Sequence, residues 1–168
     1  MTELDDTSII LDEMAVQLDE LITRTGRNDP AMVGIHTGGV WIARQLHAQL
    51  DIGEPLGSLD ISFYRDDFTR IGMNPVVQPS QLPFSLDNRH IILVDDVLHT
   101  GRTIRAALNE LFDYGRPASI MLATLIERDG RELPIQANVV GRHVKLQPDE
   151  HIKLSGPDPL RLEIKSTA

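Results

Sequence analysis

Two adjacent aspartates, Asp95 and Asp96, stand between an apolar run at 91–94 and a turn rich in threonine and glycine. Carboxylates accept hydrogen bonds from hydroxyl groups, and such charge-assisted bonds are roughly twice as strong as neutral ones. The turn, Thr100-Gly101-Arg102-Thr103, opens an amphipathic segment. A helix that begins there would present N–H groups without internal partners to an anion such as phosphate. Together these groups suit a phosphorylated sugar, which has both hydroxyls and a phosphate.

The elements around these residues alternate between strands and helices. Apolar or alternating runs predict strands at 32–35, 58–64, 91–94 and 120–126. Apolar residues at helical spacing predict three helices, at Leu11, Met14, Leu18, Leu21 and Ile22, then at Val40, Ala43, Leu46 and Leu50, and then at Ile104, Ala107, Leu108 and Leu111. The sequence therefore predicts an α/β fold with a central, mostly parallel sheet flanked by helices.

Ligands of such sheets bind beyond the carboxyl ends of the strands, where the aspartate pair is expected. Adjacent side chains of a regular strand point to opposite faces, so we expect the strand at 91–94 to end before the pair. Gly26 and Gly115 are predicted to end the first and third helices. Thr100 is predicted as the N-cap of the third helix.

Two regions lack this regular alternation. Residues 65–89 contain four prolines or glycines and little periodicity, which predicts a long flexible loop or hairpin arm. Residues 127–168 contain short extended runs separated by prolines, which predicts a small hood and an edge strand. The whole chain of 168 residues is expected to form a single domain.

The composition restricts the class of protein. The absence of cysteine excludes disulfides and thiol-ligated metals, and it agrees with a cytoplasmic location. No segment reaches the ~18 apolar residues of a membrane span, and the acidic N-terminus predicts no secretory signal. The net charge is −9, and the first 22 residues contain seven acidic and no basic side chains. This charge argues against nonspecific nucleic-acid binding.

The segment Val94-Asp95-Asp96-Val97-Leu98, with Thr100-Gly101-Arg102-Thr103, resembles the 5-phosphoribosyl-1-pyrophosphate (PRPP) motif of type I phosphoribosyltransferases. Within that superfamily it is most similar to the PyrR family of bifunctional pyrimidine operon regulators and uracil phosphoribosyltransferases. Three other segments match in order and spacing: Val33-Gly34-Ile35 with Thr37 and Gly39, Tyr64-Arg65-Asp66-Asp67, and Gly115-Arg116-Pro117 with Arg131-Glu132-Leu133-Pro134-Ile135. The resemblance extends from about Ile9 to Gly141.

The resemblance implies transfer of a phosphoribosyl group from PRPP to uracil, giving UMP and pyrophosphate. Asp95 and Asp96 would then bind the ribose 2′- and 3′-hydroxyls, and their charge would favour a cationic transition state at C1. The other implied positions of this segment are Val94, Val97 and Leu98 in the pocket and Thr100, Gly101, Arg102 and Thr103 at the 5′-phosphate. His99 lies between the two sets, where a histidine either transfers a proton near neutral pH or only lines the pocket.

A second loop is implied at the pyrophosphate, formed by Thr37, Gly38 and Gly39. Gly38 departs from the arginine that is usual in relatives. Loss of that guanidinium would cost about 1.5–3 kcal/mol, so Gly38→Arg is expected to improve pyrophosphate-dependent activity. Arg65, at the start of the arm, is a candidate catalytic contact to pyrophosphate on closure of the arm.

The remaining expectations concern the base, the metal and the partners. The hood is expected to place Arg128, Leu133 and Ile135 near uracil. Mg²⁺ retains waters and commonly binds substrate phosphates, so it is expected to bind through PRPP and pyrophosphate, with no metal site made of side chains. The expected partners are PRPP, uracil and UMP, with no membrane, in a homodimer or higher homo-oligomer.

Two interpretations of the regulatory function stay open. In the first, binding of pyrimidine-operon mRNA responds to UMP and causes transcription attenuation, because one pocket holds both product and effector. In the second, the chain is a nucleotide-sensing regulator with weak or no catalysis, which acts either through RNA or without it. The acidic first helix favours action without RNA, because the basic residues left for RNA are Arg27, Arg131, Arg142 and Lys145.

Overall fold

The computed structural model describes residues 4–61 and 80–167. Their elements are α1 (Thr7–Thr25), β1 (Ala31–Ile35), α2 (Gly38–Leu50), β2 (Gly57–Leu59), β3 (His90–Leu98), α3 (Arg102–Tyr114), β4 (Ser119–Arg128), β5 (Val139–Val144), β6 (Glu150–Ser155) and β7 (Arg161–Ser166). Strands β1 to β5 form one parallel sheet in the order β2-β1-β3-β4-β5, and β6 pairs with β7 in an antiparallel hairpin. The predicted α/β fold with a central parallel sheet is confirmed.

Helices cover the sheet on both faces. Strand β1, which lies between β2 and β3, is buried along its whole length, as expected for a parallel strand covered on both sides. One face packs against α1 and α2, where Ile10, Met14 and Leu18 are fully buried. The other packs against α3 through Ile104 and Leu111. Each such side chain contributes about 1.5–3 kcal/mol by leaving water, so the helical spacing of apolar residues fixes both layers. Among the described helices, none is long and apolar enough to cross a membrane.

The predicted ends of the first and third helices are confirmed. Gly26 caps α1 with a φ of +68°, and its N–H donates to the carbonyl oxygen of Ile22. Gly115 follows the last residue of α3. The predicted N-cap of α3 is wrong, because Gly101, not Thr100, holds that position. Its φ of +95° is a backbone conformation that residues with side chains rarely adopt.

Strand β3 is longer than predicted. The expectation that it ends before the aspartates is wrong, because the strand continues through Asp95 and Asp96 to Leu98. The neighbouring strand β4 explains the difference, since it continues beside β3 and pairs Asp95 with Thr124. The parallel ladder therefore extends past the point where the apolar run of β3 stops.

The predicted arm falls mostly on residues 62–79, outside the described part of the chain, as do residues 62–64 of the second predicted strand. The described part of the arm begins at residue 80 and lies beside β2. There, Ser58 and Gln81 exchange two backbone hydrogen bonds of 2.8 Å each. Gln81, within the predicted arm, is thus paired with the edge strand β2 of the sheet.

The region predicted as a hood divides into two parts. Residues 129–138 connect β4 to β5, and β5 is the parallel edge strand of the sheet. The β6–β7 hairpin instead packs against the layer of α1 and α2, through Ile152, Leu154, Leu160 and Leu162. Trp41 of α2 lies beneath its turn, 3.2 Å from the position that a β-carbon on Gly156 would occupy. Of the region predicted as a hood, it is therefore residues 129–138, and not the hairpin, that leave the sheet at the carboxyl end of β4.

Candidate active site

The strand order of the sheet reverses between β1 and β3, because β2 lies outside β1 while β4 lies outside β3. Ligands of open parallel sheets bind outside the carboxyl ends of the strands at such a switch point. The segments that leave the sheet there are residues 36–37, which lead into α2, and residues 99–101, which lead into α3 and are called the α3 turn below. The fold thus brings together two segments that follow β1 and β3 and are far apart in the sequence.

The carboxylates of Asp95 and Asp96 converge on the start of α2 even though the strand continues through them. Asp95 is 3% exposed, and its Oδ1 accepts the N–H of Asp96 at 2.9 Å. Asp96 is half-buried, and its Oδ1 accepts the N–H of Val97 at 2.8 Å. Each carboxylate is therefore held in place by the peptide group that follows it.

Two glycines allow this close approach. A β-carbon on Gly38 would lie 2.4 Å from Asp96 Oδ2, and one on Gly39 would lie 3.3 Å from Asp95 Oδ1 and 2.6 Å from the carbonyl oxygen of Val94. The positive end of the α2 dipole thus lies beside both carboxylates, where it stabilises them and favours an incoming anion. The expected gain from Gly38→Arg meets a steric obstacle, since any side chain at this position must displace the Asp96 carboxylate.

The α3 turn has the backbone of an anion-binding site. Gly101 is buried and, as the N-cap of α3, has no side chain that could accept a backbone N–H. The Thr100 hydroxyl accepts the N–H of Arg102 at 3.1 Å, and Thr103 lies half-buried in the first helical turn. The first N–H groups of a helix lack internal acceptors, so this end of α3 suits a phosphate.

Residues 130–133, called the clamp segment below, hold the α3 turn through its carbonyl oxygens. The N–H groups of Glu132 and Leu133 both donate to the Thr100 carbonyl oxygen, at 2.9 and 3.1 Å. The Nη1 of Arg131 donates to the carbonyl oxygen of His99. An ion pair of 2.9 Å between Arg102 and Glu132 adds a side-chain contact.

His99 is the first residue of the α3 turn and follows the aspartate pair in the chain. It is exposed overall, but one edge of its ring faces Gly130, where a β-carbon would lie 2.7 Å from Nε2. Partial burial lowers the pKa of His99 below its usual 6.5, and the charges of Arg128 and Arg131 lower this pKa further, against the opposing effect of Glu132. The imidazole is therefore neutral at pH 7 and able to accept a proton.

The residues predicted to contact the base occupy two places. Leu133 and Ile135 pack against Gly101, since a β-carbon there would lie 3.3 Å from Leu133 Cβ and 3.1 Å from Ile135 Cγ1. They thus support the α3 turn from the side of the hood. Arg128 lies at the end of β4, and its Nε is buried without a hydrogen-bond partner among the described residues. It lines a cavity of about 380 Å³ at the ends of β4 and β5, together with Glu127, Asp129, Gly130, Arg131, His143, Val144 and Lys145.

Other predicted site residues are less accessible or lie elsewhere. The side chains of Val94 and Leu98 are 0% and 1% exposed, so they belong to the core and can meet a substrate only through their backbone. Val97 is half-buried, and Thr37 is exposed at the N-cap of α2. Arg65 lies outside the described residues, so its predicted contact with pyrophosphate stays a prediction.

Sequence reasoning assigned no separate role to Glu127 and Gly130. Gly130 has a φ of +116°, which turns the chain back over His99 after β4. The pair Asp129-Gly130 was the available signal, because Asp-Gly marks a turn. Glu127 lies near the end of β4. Nothing in the sequence indicated that its carboxylate accepts a hydrogen bond from Arg131.

Within residues 4–61 and 80–167, no group of three or more histidine, cysteine or acidic side chains is placed to hold a metal ion. Carboxylate oxygens are nevertheless the donors that Mg²⁺ prefers. Asp95 and Asp96 therefore suit a hydrated Mg²⁺ that is held mainly by the phosphates of a substrate.

Comparison with known proteins agrees with this geometry. The phosphoribosyl transferase domain matches residues 1–152. The hypoxanthine phosphoribosyltransferase of Staphylococcus aureus has a TM-score of 0.66 at 23% identity, over 90% of this chain and 80% of its own. The hypoxanthine-guanine phosphoribosyltransferase of Bacillus anthracis has a TM-score of 0.70 at 16% identity, over 90% and 86%. The fold is that of the type I phosphoribosyltransferases.

Sequence relatives narrow the class. The bifunctional protein PyrR of Nitrosococcus oceani is 66% identical over 90% of this chain and 87% of its own length. That of Pseudomonas syringae pv. syringae is 53% identical over 96% and 95%. The chain therefore belongs to the PyrR family, as its sequence motifs predicted.

Proposed function

We propose that this protein transfers the phosphoribosyl group of PRPP to uracil, giving UMP and pyrophosphate, and that it regulates pyrimidine-operon expression in response to UMP. One observation supports this most directly: the aspartate pair, the start of α2 and the α3 turn meet at the switch point of the sheet. PRPP has a matching group for each, namely ribose hydroxyls, a pyrophosphate and a 5′-phosphate. Membership of the PyrR family supports uracil as the acceptor.

In this reaction, the bond from C1 to pyrophosphate breaks and a bond from C1 to N1 of uracil forms. The Asp96 carboxylate accepts a hydrogen bond from a ribose hydroxyl, and its charge stabilises the cation that develops at C1. The first N–H groups of α2 bind the charge that moves onto the departing pyrophosphate. The neutral imidazole of His99 accepts the proton that N1 of uracil loses. A hydrated Mg²⁺ held mainly by the phosphates, beside Asp95 and Asp96, would lower the net charge of those phosphates.

The acceptor base can be tested directly, because the solved structures with this fold include hypoxanthine phosphoribosyltransferases. Pyrophosphate release from Mg²⁺–PRPP should be measured with uracil, hypoxanthine or orotate as the acceptor. We expect release with uracil at least a hundredfold faster than with the other two. Equal or faster release with hypoxanthine would refute the proposed substrate while leaving the enzyme class intact.

For the regulatory function, we propose UMP-responsive binding of pyrimidine-operon mRNA. A specific observation favours the alternative, in which the protein regulates without RNA. Arg142 is ion-paired with Asp5 at 2.7 Å and with Glu13 at 2.6 Å, and Arg131 is paired with Glu127. Of the four basic residues expected to contact RNA, two are therefore already paired with acidic groups of the same chain.

Filter binding with pyrimidine-operon leader RNA, with and without UMP, separates these two modes. The first mode predicts binding that UMP strengthens and that falls steeply with salt, because phosphate contacts release counterions. A double variant, Asp5→Asn/Glu13→Gln, frees Arg142 and should then strengthen RNA binding further. Absence of RNA binding in the presence of UMP would refute the first mode. The homo-oligomeric state and the cytoplasmic location stay predictions.

A further inference from the structure

The clamp segment holds the α3 turn through backbone oxygens. Its two consecutive carbonyl oxygens, those of His99 and Thr100, accept hydrogen bonds from the clamp segment: the first from the Nη1 of Arg131, the second from the N–H groups of Glu132 and Leu133. These contacts join residues that are about 30 positions apart in the sequence. Both peptide groups of the turn are therefore fixed in orientation.

A peptide group is planar, and in the trans form its N–H points away from its carbonyl oxygen. The His99 carbonyl belongs to the same peptide as the N–H of Thr100, and the Thr100 carbonyl to the same peptide as the N–H of Gly101. Because the clamp segment binds both carbonyls, both N–H groups point away from it. Neither donates to another described residue. They thus add two donors beside the N–H groups of the first turn of α3.

Arg131 is the part of the clamp segment that depends on a side chain. Its Nη1 binds the His99 carbonyl, while its Nη2 donates to Glu127 Oε1 at the end of β4. The other oxygen of that carboxylate lies 2.8 Å from Nδ1 of His143 on β5. The guanidinium is therefore fixed to the rigid end of the sheet, and its second nitrogen sets the orientation of the His99–Thr100 peptide.

We propose that Arg131 is a positioning residue for 5′-phosphate binding: held by Glu127, it orients the His99–Thr100 peptide so that the N–H of Thr100 points at the phosphate. The inference rests on the proposed function, since it requires that the α3 turn binds the phosphate of PRPP and UMP. It assigns to Arg131 no contact with the substrate. Its effect is accordingly confined to ligands that have the phosphate.

The test compares UMP with uridine, which lacks only the phosphate, by isothermal titration calorimetry on the full chain. In Arg131→Ala, the ratio of UMP affinity to uridine affinity should fall at least tenfold from the wild-type ratio, with uridine affinity changed less than twofold. Glu127→Gln should lower the ratio in the same direction by less, because the neutral amide still accepts a hydrogen bond. Arg131→Lys should recover part of the loss, since an ammonium can reach one acceptor but not both.

Arg89 provides a matched control. Its Nη1 donates to Glu54 Oε1 at 2.9 Å, and its Nη2 donates to the carbonyl oxygen of Asp29 at 3.1 Å. The two arginines have similar side-chain exposure, 21% for Arg89 and 26% for Arg131, but Arg89 precedes β3 at the opposite end of the sheet. Arg89→Ala should therefore leave the UMP-to-uridine ratio unchanged.

Each result has a definite meaning. An unchanged ratio in Arg131→Ala, or in folded Arg131→Lys and Glu127→Gln if the alanine variant does not fold, overturns the positioning role but leaves the proposed function intact. An equal fall in Arg89→Ala also overturns it, because the effect would then be general. A wild-type protein that binds UMP no better than uridine overturns both this inference and the proposed phosphate site.

Discussion

At the scale of single residues, the site depends on the contact between Gly38 and Asp96. The missing side chain of Gly38 leaves room for the Asp96 carboxylate, whose Oδ2 lies 2.4 Å from the β-carbon position. Gly38→Ala therefore must move that carboxylate away from the ribose. A lost hydrogen bond to a charged group costs about 1.5–3 kcal/mol, so we expect a 10- to 100-fold lower kcat/KM for PRPP in steady-state assays.

Gly53→Ala serves as the control for this substitution. A β-carbon on Gly53 meets no heavy atom within 4 Å, so the same chemical change should leave kcat/KM unaltered. If Gly38→Ala retained full activity, the carboxylate of Asp96 would not need its present position, and its proposed contact with ribose would be refuted.

The titration of His99 gives a second test at this scale. Burial and the charge of Arg128 lower the pKa of His99, so the folded protein binds this proton more weakly than the unfolded chain does. The resulting contribution to stability is present above about pH 6.5 and is lost as the pH falls through the folded pKa. NMR of the ligand-free protein should show the His99 ring titrating below pH 6.5. A midpoint at or above 6.5 would contradict the neutral state on which proton acceptance from uracil depends.

Sequence alone predicted the candidate site residues but not their supports. The aspartate pair and the Thr-Gly-Arg-Thr turn are recognisable because residue type and local spacing define them. The contacts of Arg131 are not, since they join a side chain to a backbone carbonyl 32 residues away. Backbone atoms have no signature in a sequence, so only the folded chain shows which carbonyl the guanidinium binds.

At the scale of elements, the helix α1 packs on the edge strand β5 through a glycine. A β-carbon on Gly141 would lie 2.4 Å from the Leu125 carbonyl oxygen and 2.5 Å from Ile10 Cγ2. Gly141→Ala therefore overfills this contact, which costs about 1–3 kcal/mol of unfolding free energy. Urea denaturation should show a lower midpoint with an unchanged slope. A midpoint equal to that of Gly53→Ala would show that α1 does not need this close approach.

The end of an element could be predicted where the residue type changes at that point. It could not be predicted where pairing with a neighbouring strand sets the end. Gly26 and Gly115 end their helices as predicted, because glycine is favoured where a helix stops. The end of β3 was misplaced, because the strand is prolonged by pairing with β4 and not by its own apolar residues. The docking of the β6–β7 hairpin on α1 and α2 was likewise invisible, since its half-apolar strands fit either side of the sheet.

At the scale of the whole molecule, a chain of net charge −9 must bind an anionic substrate. Charges farther away than ~8 Å are largely screened at physiological salt, so the groups close to the site determine whether an anion binds there. The local groups at the switch point are two helix N-termini, which suit phosphates, and the carboxylates of Asp95 and Asp96, which suit hydroxyl groups. The order of the strands produces this arrangement, because it opens the crevice between β1 and β3.

The most direct test of this account is UMP formation from radiolabelled uracil and PRPP with Mg²⁺, in the wild type and in Asp95→Asn/Asp96→Asn. The amides keep the shape of the carboxylates but remove both charges. We predict UMP formation by the wild type and a loss of at least about 100-fold in the double variant, as expected when charged hydrogen bonds to the transition state are lost. Equal rates in the two proteins would contradict the proposed role of the aspartates. No UMP from a wild-type protein that still binds UMP would contradict the proposed catalysis and leave a nucleotide-sensing regulator.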